Sequence, residues 1–310
     1  DTLGAQSVAV GANALQTQNF TTATNTLNTA VGYYAGQAVS TGTNNTLVGA
    51  NTGDAISTGF DNVAIGRSAL TTEDTGRKNV AIGSSALESQ NADTDNHNVA
   101  VGFEAGKEVT SGVQNVVVGN HAGDALTDAD SNVAVGYSAL TADTLGSASV
   151  AIGHSALGTQ NFTTATSSYN TAVGFYAGLS LTTGVRNTLI GGFTGDSLQT
   201  GDNNTCIGYD SGDNVTGSGN TFLGKESGDG VTSGDDNICI GRNATLATAG
   251  TSNAITIGIG INTAANNFAF GKASNIVHND FDTDANWSRS SDGRLKKNIT
   301  NQTLGLDFIN

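Results

Sequence analysis

Residues 62–83 read NVAIGRSALTTEDTGRKNVAIG, so Asn62-Val63-Ala64-Ile65-Gly66 returns 17 residues later as Asn79-Val80-Ala81-Ile82-Gly83. Outward in both directions the same short apolar run ending in Gly recurs as NTAVG, NTLVG, NVAVG, NVVVG, NTCIG and NICIG. Fifteen closing glycines run from Gly11 to Gly258, mostly 17 residues apart, with single steps of 16 and 19 and two of 21. One supersecondary unit repeated at a fixed period marks a stacked architecture.

Each position of the unit has its own chemistry. The residue before Gly is branched aliphatic, as at Val31, Ile65 and Val118, and two places earlier stands Val, Thr or Ile. Between them sits a small apolar residue, such as Ala30, Ala100 or Cys206. Four places before Gly comes Asn in twelve of the fifteen units. A unit of 17 residues is too short for a strand plus a crossover helix, and its Gly, Thr and Asn disfavour helix. The pattern predicts an all-β fold, a parallel β-solenoid of about 15 turns over residues 1–262, with Asn side chains stacked at a corner. Alternation along the strand predicts the branched aliphatics inside and the Ala/Cys column outside. An outward column without charge then predicts that rods pack laterally, as an intertwined or side-by-side homotrimer.

Composition agrees with a rod. Of 310 residues 42 are Gly, none is Pro or Met, and 37% are hydrophobic, too many for a disordered tail. The lack of Met also suggests a piece of a longer polypeptide. A net charge of −15 argues against nucleic-acid partners and anionic membrane surfaces. No apolar run is long enough for membrane insertion. Cys206 and Cys239 fall on the same strand position two turns apart, too far for a disulfide. The four His form no ligand set, so neither metal nor cofactor is expected.

Residues 8–66 closely match residues 150–208, and both copies carry the insertion NFTTAT. This reads as duplication of a rod segment. The insertions would interrupt any flat Thr array of the kind that binds ice. Asp196, Asp213 and Asp229 each lie five residues after their closing Gly. They should stack roughly 5 Å apart, so they either splay into solvent, the favoured outcome, or hold a cation between them.

After Gly258 the period fails. Asn266-Asn267-Phe268-Ala269-Phe270-Gly271 is a last strand-like echo within a non-repeat tip or linker over residues 263–290. Residues 291–310 then open with SDGRLKKNI and close on LGLDFIN. These two motifs resemble the start of the endosialidase-type intramolecular chaperone at the C-termini of phage tail spikes and fibres. FGKASNIVHNDFDTDANWSRSSDGRLKKNI looks especially like the fibre ends of marine tailed phages. Separately, the NVAIG-type repeat is similar to the heads of trimeric autotransporter adhesins. The chaperone resemblance covers about the last 45 residues and leaves the remainder of that domain missing.

The resemblance implies a chaperone that holds three chains in register while the β-rod folds and then cuts itself off. Ser291 matches its nucleophile and Lys296 its general base, with Asp292 and Arg294 as surrounding motif residues. A Ser–Lys pair needs a Lys desolvated enough to be neutral. Either the Asp292-Gly293 turn brings the two together or a neighbouring chain supplies the Lys. The expected function is therefore the structural and adhesive shaft and distal part of a trimeric viral tail fibre, located in the virion. Its partners would be copies of itself, other tail proteins, and a host-surface receptor of glycan or outer-membrane nature. The alternatives are a bacterial trimeric surface adhesin and, behind it, a glycan-cleaving tail spike. The latter needs a carboxylate pair in a groove, and none can be nominated. Apart from the single autoproteolytic cut, no enzyme activity is expected.

Overall fold

The computed structural model describes residues 1–283 and the backbone of Ser288–Arg289. Among these residues the chain is all-β and winds as a parallel β-solenoid. Each short strand lies in register on its equivalent one turn on: Thr29–Val31 on Thr46–Val48, then Val63–Ile65, Val80–Ile82 and onward. The parallel ladder runs unbroken from Val8–Val10 to Asn267–Lys272, the stretch read from sequence as a strand-like echo. Its sixteen rungs, at about 4.8 Å each, give a rod about 70 Å long. The last rung folds back antiparallel onto Asn275–Asp280, so a hairpin covers the final parallel edge.

The faces of the strand are the reverse of the sequence expectation. The small middle residue points inward: Ala30, Ala64, Ala100, Cys206 and Cys239 are fully buried. The flanking branched residues form two columns on the outer face, half-buried by their neighbours along the ladder, with Ile65 still 38% exposed. Cross-section explains the inversion. A coil this tight brings the opposite wall close, so size rather than hydrophobicity selects the inward residue.

Besides the small residue three places after the closing Gly, buried as at Ala35, Ala69 and Ala105, three inward positions share the available volume. They are the middle strand residue and the residues four and seven places after the closing Gly. Where the strand supplies Leu47, the neighbouring turns supply Gly36 and Gly53, and a Cβ on Gly36 would come within 2.7 Å of Leu47 Cδ1. Where the strand supplies Ala64 or Ala81, the fourth position is Leu70 or Leu87, fully buried. The closing glycines are fixed by a close approach. A Cβ on Gly32, whose φ is 144°, would lie 2.2 Å from the carbonyl oxygen of Gly49 in the next turn.

The stacked Asn corner forms as expected. Asn28 Oδ1 accepts from the backbone N–H of Asn45 at 2.9 Å, and Asn45 Nδ2 donates to the Gly59 carbonyl at 2.9 Å. The pattern repeats at Asn62, Asn115, Asn187, Asn204, Asn220 and Asn237. The NFTTAT insertions do not interrupt the strand face, contrary to expectation. They leave at this corner, where Thr24–Asn25 pairs with Gly4–Ala5 and Thr166–Ser167 with Gly146–Ser147. The outer columns of Thr, Val and Ile pass them without a break.

Candidate functional site

Ser291, Asp292, Arg294 and Lys296, the residues expected to carry self-cleavage, lie outside the described residues. The functional features of the rod itself are found on its surface and at its inserted corners.

The first is an aromatic ladder along the corner just after the strand. Every turn from the one closed by Gly102 to the one closed by Gly208 places at least one ring there. Phe103 meets His121 at 5.3 Å between centroids, His121 meets Tyr137 at 6.2 Å, and Tyr137 stacks on His154 at 5.1 Å. His154 continues to Phe175 and Tyr176 at 5.2 and 5.3 Å. Phe193 then joins Phe175 at 5.3 Å and Tyr209 at 5.9 Å, and Lys225 Nζ lies over Tyr209 at 5.9 Å. Phe103, Tyr137, Phe175 and Tyr209 remain 43–54% exposed. Earlier turns carry Ala50, Arg67 and Ser84 in the column that Phe103, Tyr137 and Phe175 occupy, so the solenoid folds without rings there. Only the Tyr33–Tyr34 pair stands apart near the N-terminal end.

The backbone makes the second ring column costly. The residue two places after the closing Gly is left-handed, with φ near 55° at His121, Tyr176 and Phe193. The same position is Asn51, Ser68, Ser85 and Asp210 in other turns, short polar residues that tolerate this conformation, but also Tyr34, Glu104 and Glu226.

Polar groups flank the start of the ladder. His121 Nδ1 lies 3.3 Å from Glu104 and 3.5 Å from Asp124. These carboxylates, with Lys107, Glu108 and Thr141, line an open hollow of about 180 Å³ beside the rings. Thr141 Oγ1 donates to Asp124 at 2.5 Å, and Lys107 Nζ stands 3.9 Å from Glu104. His121 and His154, two of the four His that form no ligand set, are members of this ladder. The ladder was legible in the repeat alignment, had the two positions after Gly been compared from turn to turn.

The second feature is a buried polar cluster at each inserted corner. Seven residues after the closing Gly, turns with Leu at the fourth position carry Glu73, Gln90, Asp143 or Gln160, all buried. Asp143 Oδ1 accepts from the N–H groups of Gly146 at 3.0 Å and Phe162 at 3.1 Å, and Gln160 Nε2 donates to Oδ2 at 2.5 Å. Gln160 Oε1 accepts from Asn170 at 2.8 Å, tying the insertion to the Asn corner. Glu73 accepts from Gly76 N–H at 2.7 Å and from Asn96 Nδ2 at 2.8 Å. Burial outweighs these bonds and pushes the Glu73 carboxyl up to about 7, and burial raises Asp143 likewise.

Cys206 and Cys239 are buried and unpaired with Phe222 between them on the ladder; burial pushes both thiols up to about 12. Among the described residues no group of three or more His, Cys, Asp or Glu is placed to hold a metal ion. A cleft of about 390 Å³ beside the capping hairpin is lined by a single carboxylate, Asp280. Among the described residues no helix is long and apolar enough to cross a membrane. Comparison with protein-family models, curated proteins and solved structures finds no match for this chain.

Proposed function

We propose that this chain is the shaft and distal part of a homotrimeric viral tail fibre that attaches to a host surface and is matured by a self-cleaving C-terminal chaperone. The observation that carries the structural half of this reading is the outer strand face. Across sixteen rungs its two columns hold only Val, Ile, Thr, Leu and Phe, with no charge, in a chain of net charge −15. A strip about 70 Å long and roughly 10 Å wide offers on the order of 700 Å² per copy, close to one partner's share of a standard interface. The lateral packing first argued from the Ala/Cys column thus belongs to the opposite face of the same strands. Ser291, Lys296 and the LGLDFIN ending support the virion half through their resemblance to the tail-fibre chaperone.

Sedimentation of the full-length protein tests the first half. A species of three chain masses is expected, and Val101→Lys on the outer face should yield folded monomers; a monomeric wild type would overturn it. Intact mass tests the second half. One cut beside Ser291 is expected, absent in Ser291→Ala and in Lys296→Ala. Cleavage that survives in Ser291→Ala removes the assigned nucleophile.

A further inference from the structure

We infer that the aromatic ladder from Phe103 to Tyr209 is a binding strip for an extended, uncharged pyranoside polymer lying along the rod axis. Four observations converge. The rings form an unbroken line over seven turns with inter-turn centroid separations of 5.1–6.2 Å, yet apart from Tyr33 the turns outside the strip put no ring in the column after the closing Gly. Three of the rings, His121, Tyr176 and Phe193, occupy a left-handed backbone position that Asn, Ser, Asp or Glu fills in nearly every other turn. The fold sets this conformation in every turn but does not require a ring there, so the rings are an addition to the repeat.

The strip also has two chemistries side by side. Exposed faces and edges of Phe103, Tyr137, Phe175 and Tyr209 offer apolar contact. The hollow lined by Glu104, Glu108, Asp124 and Lys107 offers acceptors and donors within the same few turns. A pyranose needs this pairing: its axial C–H groups pack on aromatic faces, while its ring of hydroxyls demands hydrogen-bond partners. A purely apolar partner would leave the carboxylates of the hollow desolvated and unmatched. The acidic flank and the net charge of −15 disfavour polyanions. Geometry favours a polymer over a single sugar. Rungs recur at about 4.8 Å, and a chain of equatorially linked pyranosides advances by nearly that step per sugar. Over seven turns the two repeats drift by no more than roughly half a sugar, so successive sugars can meet successive turns.

This assignment deepens the adhesive part of the reading above, but it uses only the surface of one chain. A rod that trimerises and binds no polymer would lose this proposal and keep that one. The test is native electrophoresis of the full chain in gels cast with hydroxyethylcellulose, glycol chitin or dextran. Retardation by one or both of the extended β-1,4 polymers, and not by dextran, is expected. Tyr137→Ala combined with Phe175→Ala should weaken it by at least about tenfold, since exposed aromatic rings dominate contacts of this kind. Tyr33→Ala, outside the strip, should change nothing. Unaltered mobility of the wild type in both β-1,4 polymers overturns the inference. So does equal retardation of the double variant. A double variant that changes oligomeric state in sedimentation, with its melting temperature kept, overturns it too, because the strip would then be a contact between copies.

Discussion

Two kinds of turn alternate along this rod, and their difference explains where the chain can be lengthened. In the turn closed by Gly102 the fourth position is Gly106 and the seventh is Val109, which fills the core. In the turn closed by Gly66 the fourth position is Leu70, and the seventh is Glu73, buried but polar. Once Leu takes the interior volume, the seventh position is free to carry a hydrogen-bonding group. That group then anchors a departure from the regular corner. Asp1 with Gln18, Glu73 with Gln90, and Asp143 with Gln160 recur about every fourth turn, and each Gln precedes one of the longer steps. The same logic accounts for the absence of insertions near Val39, Ile56 and Leu126, where an apolar side chain closes the corner.

The strongest way to break this contrast is to impose Leu on the Gly type. Gly106 has a φ of 58°, and a Cβ there would meet Leu87 Cδ2 at 3.1 Å and Val109 Cγ2 at 3.4 Å. Gly106→Leu adds overpacking to left-handed strain and should cost about 3 kcal/mol. Combining it with Val109→Ala should recover part of that loss. A double-mutant cycle read from thermal melting checks the coupling; strictly additive losses would show that the two positions do not share volume.

The buried acids sharpen the comparison next. Glu73 is raised to about 7 by burial, so the fold prefers its protonated form. Its contribution is full below the unfolded carboxyl value near 4.5 and is lost as pH rises through about 7. Glu73→Gln should therefore flatten the pH dependence and stabilise the rod above pH 7, by up to about 3 kcal/mol. Val109→Ala, in the other kind of turn, should leave the pH dependence as it is. Melting curves of both variants at pH 5 and 8 make the measurement. A slope unchanged by Glu73→Gln would assign the titration to other carboxyls.

A smaller effect is expected from Gln160→Ala. It removes a donor to Asp143 and Ser149 and an acceptor from Asn170, while Asn170 keeps its 2.7 Å bond to Gly184. Leaving buried polar groups short of partners should cost roughly 1–3 kcal/mol. Gln37→Ala, at the outer end of a regular turn, removes only a partly exposed bond to Gln16 and should shift stability by less than about 0.5 kcal/mol. Equal losses from the two would mean that the inserted corner needs no anchor.

The period, the strand, the Asn corner and the parallel stacking were all legible in the sequence, because each repeats with the unit. The direction of the strand was not. Alternation says that Ala100 and Val101 face opposite ways, but it does not say which is inside. That depends on how near the opposite wall stands, a property of the closed coil and of the Leu70 or Val109 that reaches across it. Asp143 and Gln160 were hidden for a related reason: acid and amide look like turn residues until the Leu three places earlier is seen to free their position. The ring ladder escaped notice because its members are split between two columns, one after Gly and the next.

The smallest expected effect contrasts a buried acid with an exposed pair. Asp213 is raised to about 7 like Glu73, but chiefly by a hydrogen bond to the carboxyl of Asp196 one turn below. At this step the column does not simply splay outward as expected from sequence, because Asp213 stays close enough to Asp196 for that carboxyl to favour its protonated form. Asn214 Nδ2 bridges Asp213 and Asp229 at 3.2 and 3.4 Å, which relieves the next contact. Asp213→Asn puts a permanent amide donor where protonated Asp213 faces Asp196. By the same sign rule as for Glu73, it should stabilise the rod above pH 7 and be silent near pH 4. Because the pair is open to solvent, the gain should stay below about 1 kcal/mol. A melting temperature that instead falls on adding a chelator to the wild type, and no longer responds in Asp213→Asn, would place a bound cation at the pair.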